Sequence, residues 1–117
     1  MAKSSRSSSR AAQGLSASAS VFAALGDETR LRLVSRLCDR GPLSITHLAA
    51  GSSGTRQAIT KHLRVLADAG LVLNARHGRE NVWRLDQQRL ADARHYMEMI
   101  SKQWDDALAR LQDFVER

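Results

Sequence analysis

Apolar residues recur at helical spacing along most of the chain, with polar residues between them. Residues three and four apart lie on the same face of a helix, so this pattern predicts amphipathic helices. It covers residues 15–25, 27–40, 44–49 and 55–69. Three of these segments begin with a residue that favours the N-cap position, namely Asp27, Ser44 and Thr55. The sequence therefore predicts four helices before residue 70.

Each predicted helix carries an apolar stripe that we expect to face the core. The stripes are Leu15, Ala19, Phe22 and Leu25 in the first helix, Leu31, Leu33, Val34 and Leu37 in the second, Ile45, Leu48 and Ala49 in the third, and Ile59, Leu63 and Leu66 in the fourth. Aromatic residues make up only 4% of the chain, so these aliphatic residues must build the core.

The residues after the fourth helix have strand character. Val72, Val82 and Leu85 are apolar or β-branched, and His77-Gly78 between them predicts a turn. A short helix, a glycine-rich turn, a longer helix and then a hairpin form the order of a winged helix-turn-helix. We therefore predict a mainly α fold with a small β-hairpin wing.

The C-terminal part of the chain, about residues 88–116, carries an apolar heptad pattern. Its a and d positions are Leu90, Ala93, Met97, Ile100, Trp104, Ala107, Leu111 and Phe114. One small domain cannot cover so long a seam, and uncovered apolar surface indicates a partner. We predict a homodimer that pairs this helix and the first helix across a two-fold axis, through Leu15, Phe22, Leu90, Met97, Ile100, Trp104, Leu111 and Phe114. The alternative is a helix that lies along its own domain.

The chain of 117 residues predicts one folded domain, over residues 15–117, after a disordered basic tail. The tail, residues 1–14, is rich in Ser, Arg and Ala and has no apolar periodicity. No apolar run approaches the roughly 20 residues that span a bilayer, and the N-terminus does not resemble a signal peptide. A single cysteine, Cys38, excludes an internal disulfide. Together these features predict a cytoplasmic protein.

The net charge of +6 gathers on two parts of the chain, the predicted helix-turn-helix with its hairpin and the N-terminal tail. Residues 56–84 hold six basic residues against two acidic ones, whereas residues 85–117 hold more acidic than basic residues. Localised positive charge predicts a polyanionic partner, double-stranded DNA. A solvated basic surface without a partner is the alternative.

The fourth helix has a polar face opposite its apolar stripe. Gln57, Thr60, Lys61 and Arg64 recur at helical spacing there, and Arg56 stands at the N-terminal end, where recognition helices meet bases. Gln can bond adenine at two points and Arg can do the same with guanine. Lys61 and Arg64 are expected to hold phosphates, which position a protein without specifying sequence. An ordinary amphipathic helix would show the same pattern, but the flanking turn and hairpin favour the DNA-binding interpretation.

Residues near the wing complete the predicted DNA-binding set. His62 lies between the two faces of the fourth helix, so a phosphate contact and a packed imidazole are both reasonable, and we prefer the phosphate contact. Arg76 and Arg79 flank the hairpin tip and can reach the minor groove or backbone, although charges on an edge strand also serve solubility. Trp83 is expected to pack against the helices. The predicted DNA-binding residues are Arg56, Gln57, Thr60, Lys61, His62, Arg64, Arg76 and Arg79.

Four segments together resemble a known family. They are residues 24–33 (ALGDETRLRL), 59–66 (ITKHLRVL), 69–72 (AGLV) and 76–79 (RHGR). In composition and order these motifs resemble the ArsR-type (arsenic-repressor-like) bacterial winged helix-turn-helix regulators, and the long last helix resembles a metal-independent branch. The resemblance implies a dimer with four helices, a wing and a fifth helix. It also implies that the dimer binds an operator, usually represses nearby genes, and releases DNA when an inducer binds.

Some members of this family carry metal-sensing sites, and the sequence lacks the residues that those sites require. The arsenic-type site needs clustered cysteines before the turn, but residues 44–49 contain none. The zinc-type site needs paired Asp/His ligands on the last helix, and here Asp92 and His95 have no second histidine after them. Cys38 stands alone and is expected in the core. We therefore predict no metal and no cofactor.

We expect a sequence-specific DNA-binding transcriptional regulator that acts as a dimeric repressor. Helix 55–69 would enter the major groove, and residues 76–80 of the wing would contact the backbone or minor groove. The chain has no phosphate-binding loop, nucleophile elbow or catalytic metal pair, so an enzyme is not expected. One alternative is a ligand- or redox-responsive sensor that uses a dimer pocket or Cys38. Another is a protein-interaction module that binds through the C-terminal heptad helix. The sequence identifies neither the operator nor an inducer.

Overall fold

The computed structural model describes residues 2–116, with side chains from residue 14 onward. Within this range the chain forms five helices and three strands, in the order α1 (Ala2–Leu25), α2 (Glu28–Arg40), β1 (Leu43–Ser44), α3 (Ile45–Ala50), α4 (Arg56–Asp68), β2 (Val72–His77), β3 (Glu80–Leu85) and α5 (Gln87–Glu116). The predicted mainly α winged helix-turn-helix fold is confirmed. None of the described helices is long and apolar enough to cross a membrane.

The three predicted N-caps begin α2, α3 and α4. Asp27, Ser44 and Thr55 have extended backbone, and each accepts a hydrogen bond from the backbone N–H three residues later, at 3.0, 3.3 and 3.1 Å. These bonds satisfy N–H groups that a helix leaves without an intrahelical partner. At the other end of α2, Gly41 has a φ of +78°, which favours glycine, and its N–H donates to the carbonyl of Leu37.

The core lies where α1, α2, α3, α4 and the sheet meet. Its largest fully buried side chains are Val21, Leu33, Leu48, Ile59, Leu63, Leu66, Leu71 and Val72. The predicted stripe of α4 is therefore confirmed, as are Ile45 and Leu48 of α3. In α2, Leu33, Val34 and Leu37 are buried, but Leu31 is 51% exposed and its assignment to the core is wrong. Leu31 lies about 110° around the helix axis from the centre of that stripe, so it points to the edge of the core.

The first helix differs from its prediction in start and in face. Helical backbone begins at Ala2, where a disordered tail was expected over residues 1–14. Ala, Arg and Ser tolerate a helix, so hydrogen bonding extends backwards from the packed part. The buried positions of α1 are Ser18, Val21 and Ala24, whereas Leu15 is 49% exposed and Ala19 is also exposed. Small residues on the buried side allow α1 to approach the neighbouring helices closely.

The wing is part of a three-stranded antiparallel sheet with the order β1-β3-β2. The short strand β1, which the sequence did not predict, pairs Leu43 with Trp83. His77 was expected in the turn but lies in β2 opposite Glu80, so the turn consists of Gly78 and Arg79. Gly78 has a φ of +62°, as the first position of a two-residue hairpin turn requires.

Cys38 is exposed, so its expected place in the core is wrong. It follows the buried Leu37 directly along α2, and one residue turns a helix by about 100°, which carries the thiol out of the apolar stripe.

The last helix, α5, extends away from the rest of the domain. Ala93 is buried and Leu90, Tyr96 and Ile100 are half-buried, but every described side chain from residue 101 to 116 is exposed. The ring centroids of Tyr96 and Phe22 lie 6.3 Å apart, which joins the first half of α5 to α1. The radius of gyration is 18.7 Å, against about 13 Å for a compact domain of this length, because the long helices project from the core.

Candidate nucleic-acid interface

The two faces of α4 have opposite environments. Ile59, Leu63 and Leu66 are completely buried, with 0% of each residue accessible to solvent. The exposed residues of the opposite side include Arg56, Gln57, Lys61 and Arg64. The helix is thus fixed to the core along one side and presents long polar side chains along the other.

Thr60 lies among these polar residues but is half-buried. Its hydroxyl donates to the carbonyl of Arg56 at 2.9 Å, four residues earlier in the same helix. This bond fixes the χ1 rotamer, while the oxygen lone pairs and the methyl group stay free for other contacts.

His62 points towards α2. Its Nδ1 lies 3.3 Å from Nη1 of Arg30 and 3.8 Å from a carboxylate oxygen of Asp27. The Arg30 Nε in turn donates to the carbonyl of Ala24 at the end of α1. This network connects the middle of α4 to the junction of α1 and α2.

The carboxyl of Asp27 is the negative centre of that network. The backbone N–H of Arg30 lowers the pKa of Asp27 below its usual value, and the positive charge of the Arg30 guanidinium acts in the same direction. Partial desolvation opposes this effect but is outweighed. Asp27 therefore stays ionised at neutral pH and serves both the helix cap and the contact with α4.

Arg36 holds the C-terminal end of α3. Its guanidinium donates to the carbonyls of His47 and Leu48, each at 2.8 Å, and the hydroxyl of Ser52 also donates to Leu48 at 2.8 Å. Helix C-termini leave carbonyls without partners, and a cation there also suits the helix dipole. The turn between α3 and α4 is thus attached to α2 by specific bonds.

Sequence reasoning missed the roles of Arg30 and Arg36. The bonds of Arg36 join residues 11 and 12 positions apart, and the contact between Arg30 and His62 spans 32 positions. No local periodicity signals such pairs, because their partners are brought near only by folding.

The hairpin is exposed around its tip, from Leu73 of β2 to Asn81 of β3. Val72 is buried, whereas the side chains of β2 from Leu73 to His77 and the turn residues Gly78 and Arg79 are exposed. Arg76 and Arg79 are therefore available near the tip, as expected. The strand β2 contacts α4, so the wing and the helix belong to one connected surface region.

Trp83 is 5% exposed and belongs to the core, which confirms that it packs against the helices. Its indole N–H has no hydrogen-bond partner within the described residues. A buried donor without a partner costs stability, so the ring contributes to the fold through packing rather than through its polar atom.

The predicted dimer residues on α5 are mostly uncovered in the single chain. The exposed fractions are 48% for Met97, 64% for Trp104, 58% for Leu111 and 76% for Phe114, and Leu15 of α1 is also exposed. Phe22, Leu90 and Ile100 are half-buried. The structure therefore places these eight residues on α1 and α5 as predicted, with the exposed ones concentrated towards the end of α5.

The predicted absence of metal and thiol sites rests on the sequence alone. Over residues 2–116, no three His, Cys, Asp or Glu side chains come together as a ligand group. Asp92 accepts a hydrogen bond from the side-chain amide of Gln88 at 3.0 Å, and His95 is exposed.

The fold is a winged helix-turn-helix, and the second helix of the motif, α4, exposes a cationic face. These two features together are typical of DNA-binding proteins. Residues 25–73 match a family model described as a helix-turn-helix domain. An uncharacterized HTH-type transcriptional regulator of Bacillus subtilis, YuzN, is 44% identical over 53% of this chain and 74% of its own length. The arsenical resistance operon repressor of Escherichia coli is 34% identical over 56% of each protein.

Structural similarity extends further along the chain. A solved ArsR-like transcriptional regulator from Rhodococcus sp. RHA1 superposes with a TM-score of 0.73 at 38% identity, covering 86% of this chain and 93% of that one. The chain belongs to the ArsR-like family of helix-turn-helix transcriptional regulators. It is accordingly a DNA-binding transcriptional regulator, as the sequence predicted. The relatives are named as regulators rather than enzymes and favour neither the sensor nor the interaction-module alternative.

Proposed function

We propose that this protein is a homodimeric repressor. It binds an operator with α4 in the major groove and contacts the flanking DNA with its wing. The observation that carries the proposal is the division of α4 into a fully buried apolar face and an exposed polar one. An α-helix is about 10–12 Å wide with its side chains, and the major groove is about 12 Å wide, so this exposed face fits the groove.

The exposed residues of α4 divide by their distance from its N-terminus. Arg56 and Gln57 occupy the first turn, where base edges are reached, and their side chains suit guanine and adenine. Thr60 lies one turn deeper and can contact a thymine methyl. Lys61 and Arg64 lie towards the flank, where they bind phosphates and set the register of the helix on DNA.

The wing arginines extend the same surface. Arg76 and Arg79 stand at the tip of an exposed ribbon that packs on α4, so they can reach the backbone or a narrow minor groove. Their flexible side chains on a two-stranded hairpin suit recognition of shape and charge rather than of individual bases.

We assign His62 a different role from the phosphate contact expected from the sequence. Its ring is half-buried and faces Asp27 and Arg30. It therefore orients α4 relative to α2, and the DNA contacts are left to the exposed residues on either side of it.

The homodimer is proposed from the uncovered apolar row of α5. This helix of 30 residues is about 45 Å long, and its second half has no cover in the single chain. Two copies paired through α5 and α1 would bury this row and place two α4 helices about one turn of DNA apart, roughly 34 Å. Repression, rather than activation, is proposed from the relative in Escherichia coli that is named an operon repressor.

The central test removes two polar side chains from α4. The double variant Gln57→Ala with Lys61→Ala should lose preference for the operator and bind it about 100-fold more weakly, because a lost two-point base contact and a lost phosphate contact add together. The operator is first located by footprinting the wild-type protein on its own upstream region. Affinities for this operator and for a random duplex are then compared at one salt concentration.

A matched control removes the same side-chain types from α5. Lys102→Ala with Gln112→Ala lies on exposed positions outside the heptad seam, so operator affinity should remain near the wild-type value. Both double variants should sediment like the wild-type protein. Unchanged operator affinity in the α4 variant would refute the proposed reading surface.

A further inference from the structure

A polar cavity of about 470 Å³ lies between α2 and the turn that leads into α4. One side of α2 contributes Thr29, Arg32, Ser35 and Arg36, and the turn contributes residues 51–53. The lining thus combines two guanidinium groups with four hydroxyls, of which that of Ser52 already donates to the carbonyl of Leu48, and it contains no carboxylate. Such a set of donors fits an anion, and a phosphate group above all.

Arg36 supplies a fixed positive charge in this wall. Two of its N–H groups hold the carbonyls of His47 and Leu48, and a Cβ added at Gly51 would lie only 2.5 Å from the guanidinium carbon. The side chain is therefore locked against the turn backbone. A guanidinium has five N–H donors, so donors remain for a ligand.

Arg32 is the second guanidinium of the lining, and it is exposed on the same side of α2. Arg32 forms an i,i+4 ion pair with Glu28, and the two side chains are 71% and 78% exposed. Exposed pairs of this kind are worth little, so a phosphate in the cavity can displace Glu28. The ion pair with Glu28 holds Arg32 beside the cavity but is weak enough for Arg32 to exchange Glu28 for a phosphate.

The turn offers backbone donors to the same space. The N–H of Gly51 and that of Ser52 bond to carbonyls of α3. Ser53 also lines the cavity, and within residues 2–116 neither its N–H nor its hydroxyl is among the bonds that hold the turn. Ser53 therefore adds donors on the wall opposite the two arginines.

The position of the cavity points to DNA as the source of the phosphate. Ser53 precedes Arg56 by three residues, so their Cα atoms lie within about 11 Å of each other. Arg56 marks the end of α4 that enters the groove, and the phosphates that border a groove lie at its rim. We propose that this cavity binds a backbone phosphate of the operator beside the reading helix. The inference rests on the proposed function, because it requires α4 to enter the major groove.

The test uses Arg32→Gln, which removes the charge at an exposed site. Relative to wild type, affinity should fall about tenfold, both for the operator and for random duplex, because a phosphate contact carries no sequence information. The slope of log affinity against log salt should become shallower by about 1. The control is Arg40→Gln, an exposed position of α2 outside the cavity, which should leave the slope unchanged.

A second variant changes the site in the opposite direction. Glu28→Gln frees Arg32 from its ion pair, so DNA affinity should rise a few-fold. If Arg32→Gln behaves like Arg40→Gln while operator preference persists, this inference fails and the proposed function stands. If the wild-type protein shows no operator preference, the proposed function itself fails.

Free phosphate is distinguished from DNA by titrating inorganic phosphate into the full-length protein without DNA. Amide NMR shifts at Ser52 and Ser53 that disappear in Arg32→Gln would show a phosphate site. If these shifts occur but the salt slope of DNA binding is the same in Arg32→Gln and wild type, the ligand is free phosphate. A cavity that shows neither the shifts nor the slope change does not bind phosphate, and the inference is overturned.

Discussion

At the scale of single residues, charged side chains of α2 and of its N-cap connect α4, the proposed recognition helix, to the rest of the fold. Asp27 caps its own helix and lies near His62, and Arg30 joins His62 to the carbonyl of Ala24. Arg36 fixes the turn before α4. A few directed bonds therefore set the orientation in which α4 presents its polar face.

Asp27 should make the free energy of unfolding depend on pH in the acid range. Its pKa is lowered in the folded state, so it stabilises the fold above its unfolded pKa and this contribution is lost as pH falls through the folded value. Asn is an equally good N-cap but does not titrate. Asp27→Asn should therefore flatten the dependence of the free energy of unfolding on pH below the ordinary value of 3.8.

Urea unfolding followed by circular dichroism between about pH 2 and 6 measures this effect around the usual carboxyl range. Asp39→Asn, an exposed change on the same helix, is the control. An acid dependence in Asp27→Asn as steep as that of the wild-type protein would contradict the assignment.

At the scale of elements, the helix-turn-helix is held by caps at its helix ends as well as by its core. Thr55 begins α4, Ser44 begins α3, and Arg36 closes the C-terminal end of α3. Because α3 has only six residues, it has little stability of its own and depends on these contacts.

Gly51 and Arg36 should therefore be energetically coupled. Gly51→Ala introduces a Cβ at 2.5 Å from the guanidinium and forces Arg36 away from its two carbonyl acceptors. The expected cost is about 1–3 kcal/mol in the free energy of unfolding, as for Arg36→Ala, because both changes remove the two hydrogen bonds from the guanidinium to the end of α3.

In the Arg36→Ala background, Gly51→Ala should cost nothing, or stabilise by about 0.4–1 kcal/mol, because the steric conflict is gone and the unfolded chain loses freedom. Chemical denaturation of the four proteins in this double-mutant cycle gives the coupling. Additive effects of the two substitutions would show that the contact does not position the turn.

At the scale of the whole molecule, α5 exposes a longer row of apolar side chains than is usual for a protein that stays monomeric. Trp104, Leu111 and Phe114 lie on one side of a helix with no cover in the single chain. Apolar surface of this extent favours association because burial removes it from water. In the proposed dimer the same association sets the spacing of the two reading helices.

A charge in the seam should separate the two copies. Leu111→Glu places a carboxylate where the partner's apolar row would pack, so the variant should sediment as a monomer at micromolar concentrations at which the wild-type protein is a dimer. Operator affinity should fall with it, since two half-sites are no longer read together. Gln112→Glu adds the same charge on the neighbouring residue outside the seam and should remain dimeric. A monomeric wild-type protein would end the dimer proposal.

Much of this fold was determined by the sequence itself, because its signals are local. The caps at Asp27, Ser44 and Thr55 act over three residues, and the buried stripe of α4 follows from helical periodicity alone. The exposed polar face of α4 was predictable for the same reason. These features need no knowledge of what the helix packs against.

Only the tertiary structure decided the features that depend on distant partners. The strand β1 exists because β3 lies beside it, and Leu43 pairs with Trp83 far along the chain. His62 faces inward because Arg30 and Asp27 meet it there, although helical spacing alone left it between two faces. A local pattern fixes which residues share a face, but the direction of that face is set by packing free energy, which is summed over the whole fold.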